Sequence, residues 1–435
     1  MVAGSTRQAY HKLIVAKINN MNNAVIKYFI LVVCVAGVSC DDLSMGNSSS
    51  KTDDSLLVIT KGSYGYDAEF LRKNTDKVLE LVDPGGMSKI LLSADYQGRV
   101  MTSTAMGDSG TSFGWLNYNL LGIKERKKQF NPVGGEERLW LGPEGGQYSI
   151  YFKAKDSFSF ARWQVPPFID TEKYDVIQSD NASVTFSKKA TFTNYSGNIF
   201  SINIERKINL LTKEQLAGKL HLAIPGKIHF VGFETINNIT NTGDQDWTKE
   251  KGLLSIWLLG MFTPTAKTMV IIPFNAIPQA RDMITDNYFG KIPPERLQVL
   301  DSVLYFMCDG KYRSKIGLSP LIAKPIAAGF DFEKNVLTIL LPSVSKNGIY
   351  VNSKWEIQKE PYKGDVINSY NDGPLADGTQ MGPFFEIESS SPALALKKGQ
   401  TGSYAQTTCH FQGDYPALKE MAKTLLGVDL DTIKK

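Results

Sequence analysis

The 435-residue sequence predicts a mainly β protein: one large antiparallel β domain with a few short helices and a helix near its C-terminal end. Three observations carry that reading. Short runs rich in β-branched and aromatic residues recur through residues 57–412, separated by Gly, Asn and Asp turns. No regular helical periodicity intervenes between them, which argues against βαβ units and a parallel sheet. No break in composition divides residues 57–435, and a stretch of that length can bury one large core.

The elements follow in chain order. A short helix is expected over Asp67–Asn74. Val78–Val82 leads through Asp83-Pro84 into a Gly-Gly turn. Lys89–Ser93 and Arg99–Thr104 flank Asp95-Tyr-Gln-Gly98, a hairpin signal. Further strands are expected at Tyr148–Lys153, Ser183–Phe192, Ile199–Leu210, Lys227–Ile239, Leu253–Phe262 and Thr268–Ile272. Val336–Leu341, Gly382–Glu388 and Gly402–Phe411 complete the set. The last element is a helix over Pro416–Leu426. Asp414 can cap it, Pro416 suits its first turn, Leu418, Met421 and Leu425 share one face, and Gly427 can close it. No repeat of solenoid period is visible.

The N-terminal segment reads as an export signal. Lys27 precedes an apolar run, Tyr28–Ala36, which ends in the small-residue stretch Gly37-Val38-Ser39-Cys40. The run is too short for a permanent membrane-spanning helix. Met21 is a second candidate start, just ahead of this segment. The stretch before Cys40 resembles the lipobox of bacterial lipoproteins, with Gly37 in place of the usual larger aliphatic residue. That resemblance implies cleavage before Cys40, lipid on its sulfur, and a stable hold on a membrane. Residues 41–56 are rich in Ser, Asp, Asn and Lys, too polar to fold, and read as a flexible tether. The Asp41-Asp42 pair implies, by the same resemblance, an outer-membrane or cell-surface address rather than a cytoplasmic one.

Composition excludes several function classes. Four of the 48 basic residues (Arg7, Lys12, Lys17 and Lys27) lie in residues 1–40, which hold no acid; the other basic residues match the 44 acidic ones in number. A neutral chain gives no argument for a nucleic-acid surface. Past Cys40 the cysteines are Cys308 and Cys409, and two separate buried thiols is the simpler expectation than a disulfide. No Cys/His spacing fits zinc, and neither a Gly-x-Ser-x-Gly elbow nor a His-Glu-x-x-His pair occurs. No organic cofactor is called for. Oxygen-ligated calcium is the one metal that the plentiful Asp and Glu near Gly-rich turns would accommodate.

Two stretches carry the functional reading. Asn131–Gln147 holds five glycines and two prolines, hence tight turns that allow close approach of backbone to a ligand. Embedded in it are Glu136, Glu137, Arg138, Trp140, Glu144 and Gln147. A guanidinium, carboxylates and an indole supply what polyol recognition needs: fixed hydrogen-bond partners for hydroxyls and an apolar plate for the C–H face of a sugar ring. The bland reading is an internally salt-bridged loop in which Arg138 pairs with Glu136 or Glu144. The run is no phosphate loop, since no Gly-Lys-Ser/Thr follows. The second stretch is Gly382–Pro392. On a strand, Glu386 and Glu388 point to one face, and Phe385 and Ile387 to the other. Two desolvated carboxyls that close raise one another's proton affinity, so one can serve as acid and one as base; the bland reading is a solvated sheet face. Aromatic and polar residues also mix in Phe113–Tyr118, at Arg162-Trp163, and at Trp355 with Asn368–Gly373.

The runs Gly134–Gln147 and Phe384–Pro392 look like signatures of an uncharacterised family of bacterial lipoproteins, a domain of unknown function. More distantly, the order of features is similar to the galactose mutarotase-like supersandwich, a large antiparallel β fold. Gly98–Ser103 resembles an early strand of that fold. Ile236–Asp244 resembles its central strand and Gly-Asp turn, and the Glu-bearing strand followed by Leu396–Gln400 resembles its C-terminal end. There mutarotases keep a glutamate base, so the resemblance implies that Glu386 or Glu388 takes that role. Their catalytic histidine has no counterpart: the region reads Gly252-Leu-Leu-Ser-Ile-Trp-Leu-Leu-Gly260. Simple aldose 1-epimerase activity is therefore not implied.

Two readings result. In one, an envelope lipoprotein binds or processes a carbohydrate, with Glu386, Glu388 and Glu144 as acid–base groups and Glu136, Arg138, Trp140 and Gln147 as ligand contacts. The reaction would be of epimerase, lyase or hydrolase type. In the other, the same fold is a non-catalytic scaffold or an accessory subunit of a surface uptake complex. They divide on whether the Gly-rich run and the Glu386 strand meet.

Overall fold

The computed structural model describes residues 59–123 and 125–433. The export signal, Cys40 and the tether lie outside the described residues. Three antiparallel sheets make up the described part. The smallest joins β1 (Val78–Val82), β2 (Lys89–Ser93) and β3 (Arg99–Thr104) in that order. A six-stranded sheet runs β11 (Ile284–Thr285), β14 (Ser314–Leu318), β17 (Ile367–Asn371), β18 (Phe385–Ser390), β9 (Ser255–Phe262) and β4 (Arg138–Gly142). The ten-stranded sheet runs β12 (Leu297–Val299), β13 (Val303–Met307), β10 (Thr268–Pro273), β15 (Ala327–Asp331) and β16 (Val336–Pro342). It continues with β19 (Thr401–Gly413), β8 (Ile228–Asn241), β7 (Ile199–Leu210), β6 (Ser183–Thr193) and β5 (Asp175–Ser179).

Alternation in the sequence sets the layers. β7 buries every second residue, with Phe200, Ile202, Ile204 and Ile208 turned into the core. β9, by contrast, is buried along its whole length. Its unbroken apolar run fits a strand covered on both faces. One core lies between the large sheets, where Phe262, Ile316, Ile387 and Phe385 meet Val270, Phe306 and Leu340. The far face of the ten-stranded sheet is covered by two helices. Leu216 and Leu220 of the Lys213–Leu220 helix and Leu418, Met421 and Leu426 of the Tyr415–Leu426 helix pack on Phe330, Ile339 and Phe411 there.

The helix expected near the C-terminus is present over Tyr415–Leu426, closed by Gly427 at φ 72°. Asp414 sits at its N-cap position, but its side chain makes no capping bond. Leu425 is only partly buried, and Leu426 takes the place on the apolar face that was expected of it. The first helix is longer than expected, Tyr64–Asn74. Residues 148–153, expected as a strand, form turns and bends instead, because the segment folds over the six-stranded sheet and pairs with no strand. Conversely, Arg138–Gly142 is a buried edge strand in the middle of the stretch expected to be one continuous loop. Cys308 and Cys409 are both free and buried, in separate cores. Burial pushes both thiols well above their ordinary range. Among the described residues, no helix is long and apolar enough to cross a membrane.

Candidate functional site

The strand register assembles the site. On β18, Glu386 lies opposite Tyr370 and Met261, and Glu388 opposite Asn368 and Leu259. On β14, Lys315 lies opposite Tyr370. On β4, Arg138 lies opposite Leu259, and Trp140 opposite Trp257. Period-2 alternation therefore turns Lys315, Glu386, Glu388, Trp257, Arg138 and Trp140 to one face of the six-stranded sheet, away from the sheet-on-sheet core.

That face is not bathed in solvent. Segments around Glu144, Tyr151, Trp163, Tyr288 and Trp355 fold over it, so Glu386 and Glu388 are buried. Arg138 Nη2 donates to Glu386 Oε1 at 2.8 Å, and the guanidinium lies 4.5 Å from the centre of the Trp140 ring. Lys315 Nζ and Trp257 Nε1 both donate to Glu388 Oε2 at 2.9 Å. The Lys315 ammonium also sits 5.0 Å over the Trp257 ring. Tyr288 Oη donates to Asp365 Oδ2 at 2.6 Å, and Asn368 Nδ2 donates to Tyr288 Oη. Glu388 Oε1 is buried and accepts no hydrogen bond. An unpaired carboxylate oxygen beside a partly exposed lysine is an acceptor held ready for a donor group.

The electrostatics single out two further carboxyls. Burial pushes Glu144 up to about 7, against the pull of Lys315 and the Trp355 indole. Burial likewise pushes Glu386 to about 7; Arg138 opposes it and Glu388 adds to it. Burial alone would lower Lys315, but Glu388 and Glu144 outweigh it and hold the ammonium above its ordinary range. Burial raises Asp365 as well, opposed by its bond from Tyr288. Glu144 and Lys315 keep partial exposure, so this group reaches solvent at that end.

A pH dependence follows. Glu144 and Glu386 hold protons more tightly folded than unfolded, where the ordinary value is 4.5. Their contribution is full below pH 4.5 and is lost as pH rises to about 7. Urea denaturation across that window is expected to show stability falling with pH, and Glu144→Gln or Glu386→Gln to flatten the fall. An unchanged slope in both variants would mean that neither carboxyl is desolvated in solution.

Four of the residues singled out from sequence come together here: Glu386, Glu388, Glu144 and Arg138. Trp140 is buried beneath Arg138, among Trp257, Tyr151, Trp163 and Phe130, and acts as a plate for the guanidinium. Glu136 is elsewhere. It accepts from Ser103 Oγ at 2.7 Å and lies 2.8 Å from His410 Nε2, whose ring stacks on Phe113. Gln147 is also elsewhere: its amide clamps the backbone of Gln358 in both directions. Arg138 pairs with neither Glu136 nor Glu144. The glycines of the run serve the chain's own packing rather than a ligand. A Cβ on Gly134 (φ 92°) would lie 2.0 Å from the Trp115 carbonyl oxygen, and one on Gly145 2.3 Å from that of Lys354. Lys315, Trp257, Tyr288 and Asp365 were not singled out from the sequence. Trp257 lies within the strand noted for lacking histidine, and Lys315 in a short Gly-containing run without clear alternation. Among the described residues, no group of three His, Cys, Asp or Glu side chains is placed to hold a metal ion.

Residues 62–435 match the model of a family of unknown function, DUF6786. The chain belongs to that family. No curated protein shows significant similarity to it. Among solved structures, the chain is similar to a putative aldose 1-epimerase from Escherichia coli, at 10% identity and TM-score 0.46, over 78% of this chain and 99% of that one. It is similar to a galactose mutarotase-like protein from Lactobacillus casei at 11% identity and TM-score 0.44, over 77% and 100% of the two chains. A polysaccharide lyase, at 10% identity and TM-score 0.26, covers 80% of this chain with 34% of its own length. In this chain the carboxylate-bearing face of the six-stranded sheet is buried.

Proposed function

We propose that the protein binds a carbohydrate at the Glu144–Lys315 end of the outer face of the six-stranded sheet and performs proton-transfer chemistry on it. One observation carries the reading. Glu388, with a free buried oxygen, is tied to Lys315 and Trp257 beside Glu144, a partly exposed carboxyl whose proton is lost only near pH 7. A carboxyl that keeps its proton near neutrality can donate it to a ring or glycosidic oxygen; a second carboxylate can take one from a hydroxyl or a water. Glu388 is the assigned base and Glu144 the assigned acid. Glu386, held by Arg138, lies beside them. The partly exposed Trp355 indole offers an apolar plate. This chemistry is of the epimerase, lyase or hydrolase type.

The place of work is proposed to be the envelope, with lipid on Cys40 as the membrane hold and the outer membrane or the cell surface as the address. The burial of Glu386 and Glu388 would also suit a non-catalytic scaffold. A carboxyl poised near neutrality at the exposed end of the group favours chemistry instead.

The test is a thermal-shift screen of the protein against neutral mono- and disaccharides and uronates, followed by turnover assays on every sugar that binds. Glu388→Gln and Glu144→Gln are each expected to lower turnover by roughly 10²- to 10⁴-fold while binding persists. Absence of any shift with any sugar would remove the proposal.

A further inference from the structure

The acidic end of the site continues into a run of stacked rings. Trp163 lies parallel to Trp355, with centroids 5.9 Å apart and planes at 26°. On Trp163 also stacks Phe160, at 5.9 Å and 22°. Trp163 is buried and Trp355 partly exposed, whereas Phe160 shows 59% of its surface to solvent. Both indoles lie against Glu144. Tyr151 (6.2 Å, 4°) and Phe130 (5.5 Å, 72°) also pack against Trp163. The segment that carries Phe160 is tied down as well. Gln129 Nε2 donates to the Phe160 carbonyl, Arg162 N and Trp163 N to Ser159, and Gln164 N to Tyr151. An exposed phenyl ring on an anchored loop, stacked on an indole that lies against a titratable carboxyl, is more than a stray surface hydrophobe.

We infer that Trp355 and Phe160 form an outer subsite, so that the ligand is a glycan of at least two sugar units, its inner ring at Glu144 and its next ring on the aromatic platform. Stacking suits a sugar because one face of a pyranose presents C–H groups, and a fixed ring loses no rotamer freedom on binding. A free monosaccharide occupies only the inner position and leaves the platform bare. This inference rests on the carbohydrate reading above and adds to it the length of the substrate.

Tryptophan fluorescence titrations with glucose and maltose, galactose and lactose, and xylose and xylobiose test it. At least one disaccharide is expected to bind roughly threefold to tenfold tighter than its monosaccharide. Phe160→Ala is expected to erase that gain and leave monosaccharide affinity and melting temperature unchanged, and Phe160→Tyr to keep it. Equal affinity within every pair, or a gain that survives Phe160→Ala, overturns the outer subsite while the carbohydrate reading stands. No response to any of the six sugars overturns both.

Discussion

Arg206→Met is expected to destabilise the fold by about 3–5 kcal/mol, measured by chemical denaturation. Arg206 and Glu137 are both fully buried, and Arg206 Nη2 lies 2.9 Å from Glu137 Oε1. No polar atom of either side chain is buried without a partner. Arg206 donates Nε to the Gly98 carbonyl and Nη1 to Asn237 Oδ1. Glu137 accepts from Thr235 at Oε1, and from Gln406 and Thr408 at Oε2. The network joins the β2–β3 turn, the residue before β4, and strands β7, β8 and β19, so it spans all three sheets. Methionine roughly replaces the volume of the arginine stem but leaves Glu137 as an uncompensated buried charge. That residual charge, rather than the lost contact, sets the size of the loss. Arg206→Met with Glu137→Gln is therefore expected to cost less than the two single changes added together. If Arg206→Met costs under about 1 kcal/mol, the pair is not held dry and the network does not tie the sheets.

The fate of Glu136, Glu137 and Arg138 shows what the sequence could and could not say about the site. Read as composition, three adjacent charges in a Gly-rich run make one polar loop. In the fold they part company: Glu136 goes to His410, Glu137 to Arg206, and Arg138 to Glu386. Each partner lies far along the chain, 248 residues away in the case of Arg138, and no local pattern encodes such a pairing. The Glu386–Glu388 strand was legible because its two faces differ in chemistry and alternation is a local property. That the face would be covered was not legible, since the cover comes from segments around residues 144–163, 288 and 355. β9 announced its own burial on both faces by its apolar run. Lys315 stayed hidden because five residues, one of them glycine, show no period, although its neighbours across the sheet fix its direction completely.

Lys315→Met is the change that most directly probes the link between site and stability. At neutral pH it is expected to cost about 3 kcal/mol, near the low end for breaking a buried pair because the lysine keeps some contact with solvent. It leaves Glu388, which is fully buried, with the Trp257 indole as its hydrogen-bond donor. Two consequences separate this from a plain packing defect. First, Lys315 pulls Glu144 and Glu386 down, so without it both carboxyls hold their protons to higher pH, and the stability difference between the two proteins should shrink as pH falls. A packing defect would be independent of pH. Second, Glu388→Gln introduced into Lys315→Met removes the uncompensated charge and should recover part of the lost stability, but not sugar turnover. If the loss is flat from pH 5 to 8 and Glu388→Gln recovers nothing, Lys315 does not balance Glu388. The base assigned to this site would then have no partner to hold its charge, and the acid–base pairing of Glu388 with Glu144 would fail with it.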